Sequence, residues 1–414
     1  MPQLFKMDNQ YKALEPHMSI KKLLRLFFLL LLTWYAGVSV SLAAPSPSLD
    51  SRSWILIDRL TDTVLSAKNE KQKLNPGNTV LLMVLYTSER ALATQNIERT
   101  KNITVNNDAL SIPPLNASRI YLEPNRTVSY EYLEKAIAVM GANDAAVALA
   151  EGIATTIDRF VEMMNENAVR LGMNDTHYVS PIGSNNKEQY TTAKDTLILA
   201  NALLNEFPSL NDYWTIDSIS NGVIQHQNTN SLLWRTPSIK GMHSSEFAMK
   251  YWSSVALYSR DYVEGETRFA RELIAVNMGS DSAKKNADDT MRLITWGADN
   301  YKTLLLYPAL ETIEKIPVAV SDDAKVRVGV NESIYVTLPR DTILKTGEKG
   351  FSVKLNRLDP LVAPIKEGEK VGDVIVYFDE KEVARSDLIA LHDVQQSNFW
   401  RRQFQRIKAI FGLQ

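Results

Sequence analysis

Near residue 303 the hydrophobic period of this chain changes, and that change limits what each part can fold into. Beyond Pro308, apolar and polar residues alternate in Lys325 to Val330, in Ile334 to Leu338 and in Asp373 to Phe378. Alternation puts one face of a strand in a core and the other in water, whereas a helix needs spacings of three and four. With Gly and Pro between the runs, residues 303–392 read as a small all-β domain. Before residue 303 the chain mixes both periods, so 52–302 reads as an α/β domain. Residues 44–51 are a short Pro/Ser linker.

Within the first domain, Ser53 to Asp58 reads as a strand. It pairs in a hairpin with Thr63 to Ser66 through Arg59-Leu60-Thr61-Asp62. Asn78 to Ala93 reads as a buried helix with Asn78 as its N-cap, since Asn is a favoured capping residue and Pro76-Gly77 precedes it. Ile103 to Val105 and Ser118 to Leu122 are expected as short strands. Helices follow over Tyr130 to Met140 and Ala145 to Ile153, separated by Gly141-Ala142-Asn143. Thr156 to Leu171 is an amphipathic helix ended by Gly172, and Thr192 to Asn205 is another. Trp252 to Tyr258 and Arg271 to Val276 are strands, and Asp289 to Tyr301 closes the domain as a helix.

The two ends carry different signals. Lys21, Lys22 and Arg25 precede the apolar stretch Leu26 to Val40, and Ser41-Leu42-Ala43 offers the small residues a signal peptidase reads. Residues 1–43 therefore read as a secretory signal peptide cleaved after Ala43, and Met18 fits its start better than Met1 does. In the tail, 393–414, Phe399, Trp400, Phe404, Ile407, Ile410 and Phe411 fall on one helical face, flanked by Arg401, Arg402, Arg406 and Lys408. That is the pattern of a helix lying in a membrane interface. A terminal helix docked on its own β domain is the other reading. The expected location is periplasmic, peripheral to the inner membrane.

The 414 residues have a formal net charge of −2, which gives no reason to expect nucleic acid as a partner. There is no cysteine, so disulfides and thiolate metal sites are excluded. His177, His226, His243 and His392 are scattered without ligand spacing, so neither metal nor cofactor is expected.

Several runs share one order with a known family. Trp54 to Asp58, Met140-Gly141-Ala142-Asn143-Asp144-Ala145-Ala146, Phe160 to Asn165, Leu171 to Tyr178, Gln189 to Asp195, Leu232-Leu233-Trp234 and Leu293 to Gly297 resemble segments of the D-alanyl-D-alanine carboxypeptidases. This is the penicillin-binding protein 5/6 type, with its β domain and amphipathic tail in the same sequence. The resemblance implies a serine-transpeptidase/β-lactamase-like fold. It also implies an enzyme that removes the terminal D-alanine from peptidoglycan stem peptides through an acyl-serine. In that family a Ser-x-x-Lys pair supplies nucleophile and base, a Ser-x-Asn segment relays protons and holds the substrate amide, and a Lys-Thr-Gly strand binds the substrate carboxylate.

All three motifs depart here. Asn78 and Leu81 stand where serine and lysine belong, and neither an amide nor an isobutyl group can do their chemistry. Gly141 replaces the relay serine, while Asn143 remains as a residue that either binds a peptide amide or holds its own loop. The third motif falls on His243-Ser244-Ser245 after Gly241. Its register is open by a residue or more, and Lys240 lies close by. Leu81 reads as core filling. Literal matches elsewhere (Ser184-Asn185-Asn186, Ser282 to Lys285, Lys345-Thr346-Gly347) come in the wrong order, with Ser282 and Lys285 expected in a polar loop. The sequence thus predicts a non-catalytic relative that binds stem peptides or a cell-wall enzyme. The other reading is a divergent but active serine-type carboxypeptidase, with Ser244 and His243 as its candidate groups.

Overall fold

The structure is a computed structural model describing residues 46–244, 251–264, 267–321, 323, 325–342, 350–357, 359–397, 403, 406–408 and 410. The proposed signal peptide, Ser245, the Lys345-Thr346-Gly347 string and the tail residues Phe399, Trp400, Arg401, Arg402, Phe404 and Phe411 lie outside them. Of the remaining tail residues, Arg406, Ile407, Lys408 and Ile410 are helical and exposed.

A five-stranded antiparallel sheet organises the first domain. Its order is Thr63–Lys68, Ser53–Asp58, Thr267–Ser280, Trp252–Glu264, Ile239–Ser244. Every residue of Ser53–Asp58 is buried because both faces of the sheet are covered. Ile55, Ile57, Ile274 and Val276 face a core shared with five helices: Val80–Gln95, Tyr130–Met140, Asn143–Ala154, Ile157–Leu171 and Ala193–Glu206. Trp54, Leu56, Leu273 and Ala275 alternate to the opposite face, where the helix Ala283–Asn300 lies. Val80–Gln95 is buried without a break from Val80 to Glu89, as an apolar helix at the centre of a domain must be.

The second domain has a six-stranded sheet over its own apolar core, with a two-stranded ladder of Tyr301–Tyr307 and Ile334–Pro339 beside it. Asp58 anchors this ladder to the first domain. Its Oδ2 accepts from Arg271 Nε at 2.7 Å and from Thr303 Oγ1 at 2.5 Å, and Thr303 in turn meets Thr337 at 3.0 Å.

Several expectations need correction. Asn78 does not cap a helix. It sits inside a 3-10 turn, Gly77–Thr79, that leads straight into Val80–Gln95, whose N-cap position is Thr79. Gly77 has φ +56, and its N–H donates to Asn75 Oδ1 at 2.9 Å, so Asn75 is the residue that ties this turn. Ser118 to Leu122 is not a strand. Its backbone is held by the Asp144 carboxylate and the Asn143 backbone N–H rather than by a ladder. The final helix begins six residues early, capped by Ser282, whose Oγ accepts from the Lys285 N–H at 3.2 Å. Ser282 is thus a helix cap rather than a loop residue. Leu49 is buried, and the N–H of Ser51 donates to Asp289 Oδ2 at 3.0 Å, so the end of the expected linker is bound to the domain.

Candidate functional site

The three degenerate motifs converge at one corner of the sheet. Gly141 ends the helix Tyr130–Met140 in the left-handed conformation, φ +62, a position that favours glycine. A Cβ placed on it would lie 3.2 Å from His243 Cε1, 3.6 Å from Leu81 Cδ1 and 3.9 Å from Asn78 Nδ2. One point in space therefore touches the first and third motifs from the second. The helix Val80–Gln95 supplies Leu81, the turn before it supplies Asn78, and the edge strand Ile239–Ser244 supplies His243.

What meets there is mostly closed to solvent. Leu81 is 1% exposed and packs in the main core. His243 is 3% exposed, and burial pushes its imidazole down to about 4, so it is neutral at pH 7. Its Nε2 meets no hydrogen-bond partner among the described residues. A neutral imidazole in this position fills the space that a serine at 141 would have claimed. Lys240, on the same strand, is exposed rather than buried at the corner. Ser244 follows His243 on that strand.

The second-motif loop is intact by comparison. The Asn143 N–H donates to the Ser118 carbonyl at 2.8 Å, and Asn143 Nδ2 donates to the Gly141 carbonyl at 3.0 Å. Asn143 Oδ1 is buried and meets no hydrogen-bond partner among the described residues. Asp144 Oδ1 and Oδ2 accept the N–H groups of Ile120 and Leu122 at 3.0 and 3.1 Å. Burial raises the Asp144 carboxyl above its ordinary value against the pull of these donors. Asp144 is the side chain that the sequence reading missed. An acidic residue just after a loop, at the first turn of a helix, was the available signal.

Gly183 packs against the same turn. A Cβ there would lie 2.5 Å from Asn78 Oδ1, so the Asn78 amide lies between the Gly183 and Gly141 loops. Beside Gly77 opens a cavity of about 740 Å³ whose walls include Arg52, Lys73, Asn75, Lys187 and Tyr251. Sequence reading found none of this wall, since Arg52 and Tyr251 are 199 positions apart.

A sheet covered by helices on both faces, with the helix Val80–Gln95, the Gly141–Asn143 loop and an edge strand meeting at one corner, is the penicillin-binding-protein fold, an α/β transpeptidase-like domain followed by an all-β domain. Residues 40–245 match the family described as D-alanyl-D-alanine carboxypeptidase, and residues 301–396 match the penicillin-binding protein 5 C-terminal domain. The chain belongs to the D-alanyl-D-alanine carboxypeptidase family. It is 29% identical to D-alanyl-D-alanine carboxypeptidase DacD of Escherichia coli K12, over 91% of this chain and 95% of the relative. It is 28% identical to DacC of the same organism, over 86% and 87%. Among solved structures it is similar to penicillin-binding protein 5 from Haemophilus influenzae, with TM-score 0.71 and 25% identity over 85% of this chain and all of that one. It is also similar to penicillin-binding protein 6B from Escherichia coli, with TM-score 0.65 and 27% identity over 85% and 98%.

Proposed function

We propose that this chain is a non-catalytic member of its family, acting in the bacterial cell wall by binding peptidoglycan stem peptides or a cell-wall enzyme. The observation that carries this reading is the corner around Gly141. The scaffold brings all three motif positions within van der Waals reach, yet the groups that meet are Asn78, Leu81 and His243. Acyl transfer needs a nucleophile hydrogen-bonded to a base. Leucine fills the position of the base, and the amide of Asn78 fills that of the nucleophile. An imidazole held neutral could act as a base, but its Nε2 has no hydroxyl to deprotonate among the described residues.

On this reading residues 1–43 direct export to the periplasm, and the tail helix rests on the inner-membrane surface. Among the described residues no helix is long and apolar enough to cross a membrane. Intact-protein mass after incubation with a fluorescent penicillin tests the loss of chemistry. The folded protein is expected to stay unmodified, and hydrolysis of a D-alanyl-D-alanine peptide is expected to match the rate without protein. A covalent adduct would overturn the reading, and mapping it would name the nucleophile.

A further inference from the structure

We propose that Glu134 stands in the folded chain as a neutral carboxylic acid, and that its proton latches together the two helices carrying the first and second motif positions. This goes beyond the proposed function and does not depend on the chemistry of the corner. The latch lies about two turns from that corner on each helix. Glu134 precedes Gly141 by seven residues in Tyr130–Met140, about 10 Å along the axis. Glu89 follows Leu81 by eight residues in Val80–Gln95, about 12 Å.

One guanidinium bridges the two carboxyl groups. Arg99 Nη1 donates to Glu134 Oε2 at 2.7 Å, and its Nη2 donates to Glu89 Oε2 at 2.6 Å and to Ser209 Oγ at 3.0 Å. Glu134 is 0% exposed and Glu89 4%, so water does little to screen their repulsion. One positive charge thus faces two buried acids. Two like charges in one site are not both ionised without a large cost, and one proton makes the cluster neutral.

Ser88 shows where that proton sits. Its Oγ lies 2.8 Å from the Leu85 carbonyl and 2.9 Å from Glu134 Oε1. A hydroxyl has a single proton, so it cannot donate to both oxygens at once. If Ser88 donates to the carbonyl, a proton on Glu134 Oε1 is donated back to Ser88 Oγ, and every contact becomes a hydrogen bond. Glu134 Oε2 then remains an acceptor for Arg99, and Glu89 balances the guanidinium charge. The other titratable groups at this place do not offset a charge on Glu134. Burial raises Tyr130, one turn earlier on the same helix, and pushes Tyr213 up to about 12, so both are neutral at pH 7. Glu131 is held down by Lys135 at 2.8 Å. Burial raises the Glu134 carboxyl well above its ordinary 4.5, and Glu89 adds to the effect.

The test compares the full chain with Glu134→Gln, whose amide can donate to Ser88 and accept from Arg99 but cannot ionise. Infrared spectra at pH 7 are expected to show the carbonyl stretch of a buried protonated carboxyl that Glu134→Gln lacks. Ser88→Ala removes the acceptor and should shift that band without abolishing it, which keeps the test alive if Glu134→Gln misfolds. Above pH 4.5 the unfolded chain releases a proton that the folded one keeps. The wild-type unfolding constant should therefore rise about tenfold per pH unit relative to Glu134→Gln, until Glu134 ionises. Past that point amide exchange, corrected for its own pH dependence, should quicken in Tyr130–Met140 of the wild type and not of Glu134→Gln. Parallel pH curves, or a band unchanged in both variants, would overturn the neutral acid. Equal exchange in wild type and Glu134→Gln at alkaline pH would overturn the latch.

Discussion

The corner around Gly141 and the cavity beside Gly77 are neighbours built on opposite principles. At the corner, positions that hold ionisable and nucleophilic groups in the family hold Leu81, Asn78 and a neutral His243, and Leu81 and His243 are almost fully buried. At the cavity, cations remain beside solvent and are only lightly paired. Loss of ionisable groups at the corner is therefore not loss of polarity in the whole region. The contrast matters because burying a charge without a partner is costly, whereas keeping one at a wet wall is nearly free. On the proposed non-catalytic reading, a chain released from catalysis can let its reaction centre become core. It has no comparable physical reason to strip the adjoining wall.

The sharpest way to break this contrast is to put the missing base back. Leu81→Lys would bury an ammonium in the main core with no carboxylate beside it, and should cost about 4 kcal/mol in urea unfolding. A loss within about 1 kcal/mol would mean that water reaches the corner after all, and the distinction between corner and wall would fall.

A second probe uses pH. His243 has a folded value of about 4 against an ordinary 6.5. Between those values the unfolded chain takes up a proton that the folded one refuses. Stability is therefore unaffected by this group above pH 6.5 and is lost as pH falls from 6.5 towards 4, by about 3 kcal/mol in all. Asp144 and Glu134 have carboxyls raised chiefly by burial, so their contributions run the other way and fall as pH rises through their folded values. The measurement is consequently a difference. His243→Phe should remove the loss below pH 6.5 relative to wild type and leave the carboxylate part in place. Parallel pH curves for the two proteins would show that the imidazole is solvated.

How much of this was legible beforehand follows from which forces act locally. The helices capped by Thr156 and Thr192 and ended by Gly172 lie where the sequence put them, because capping is decided within one turn. The strand Ser53–Asp58 and its hairpin partner were equally plain from period and turn. The segment Ser118 to Leu122 was not, because its apolar residues mimic a strand while its hydrogen bonds come from Asn143 and Asp144, more than twenty positions on. Asn78 misled for a related reason. Its residue type favours a cap, but Thr79 Oγ1 on the Pro76 carbonyl and Asn75 on Gly77 settle the turn differently. At the site, the loss of serine and lysine was visible in the residues alone. That His243 closes over Gly141 was not, since it depends on a strand packed about a hundred positions later.

That closure gives the smallest and most specific test. Gly141→Ser restores the family's residue in name, yet its Cβ would sit 3.2 Å from His243 Cε1 on a backbone at φ +62. The left-handed conformation alone costs a side chain about 1 kcal/mol, and the close contact with a buried ring brings the expected loss to about 2 kcal/mol. If the imidazole occupies the serine's space, Gly141→Ser and His243→Ala must be coupled. The double variant should then recover about 1 kcal/mol relative to the sum of the singles, because removing the ring removes the contact but not the backbone strain. Additive losses would mean that the two positions do not share that space. The corner would then be an ordinary pair of independent substitutions rather than one repacked unit, and the case for a centre converted into core would rest on Leu81 alone.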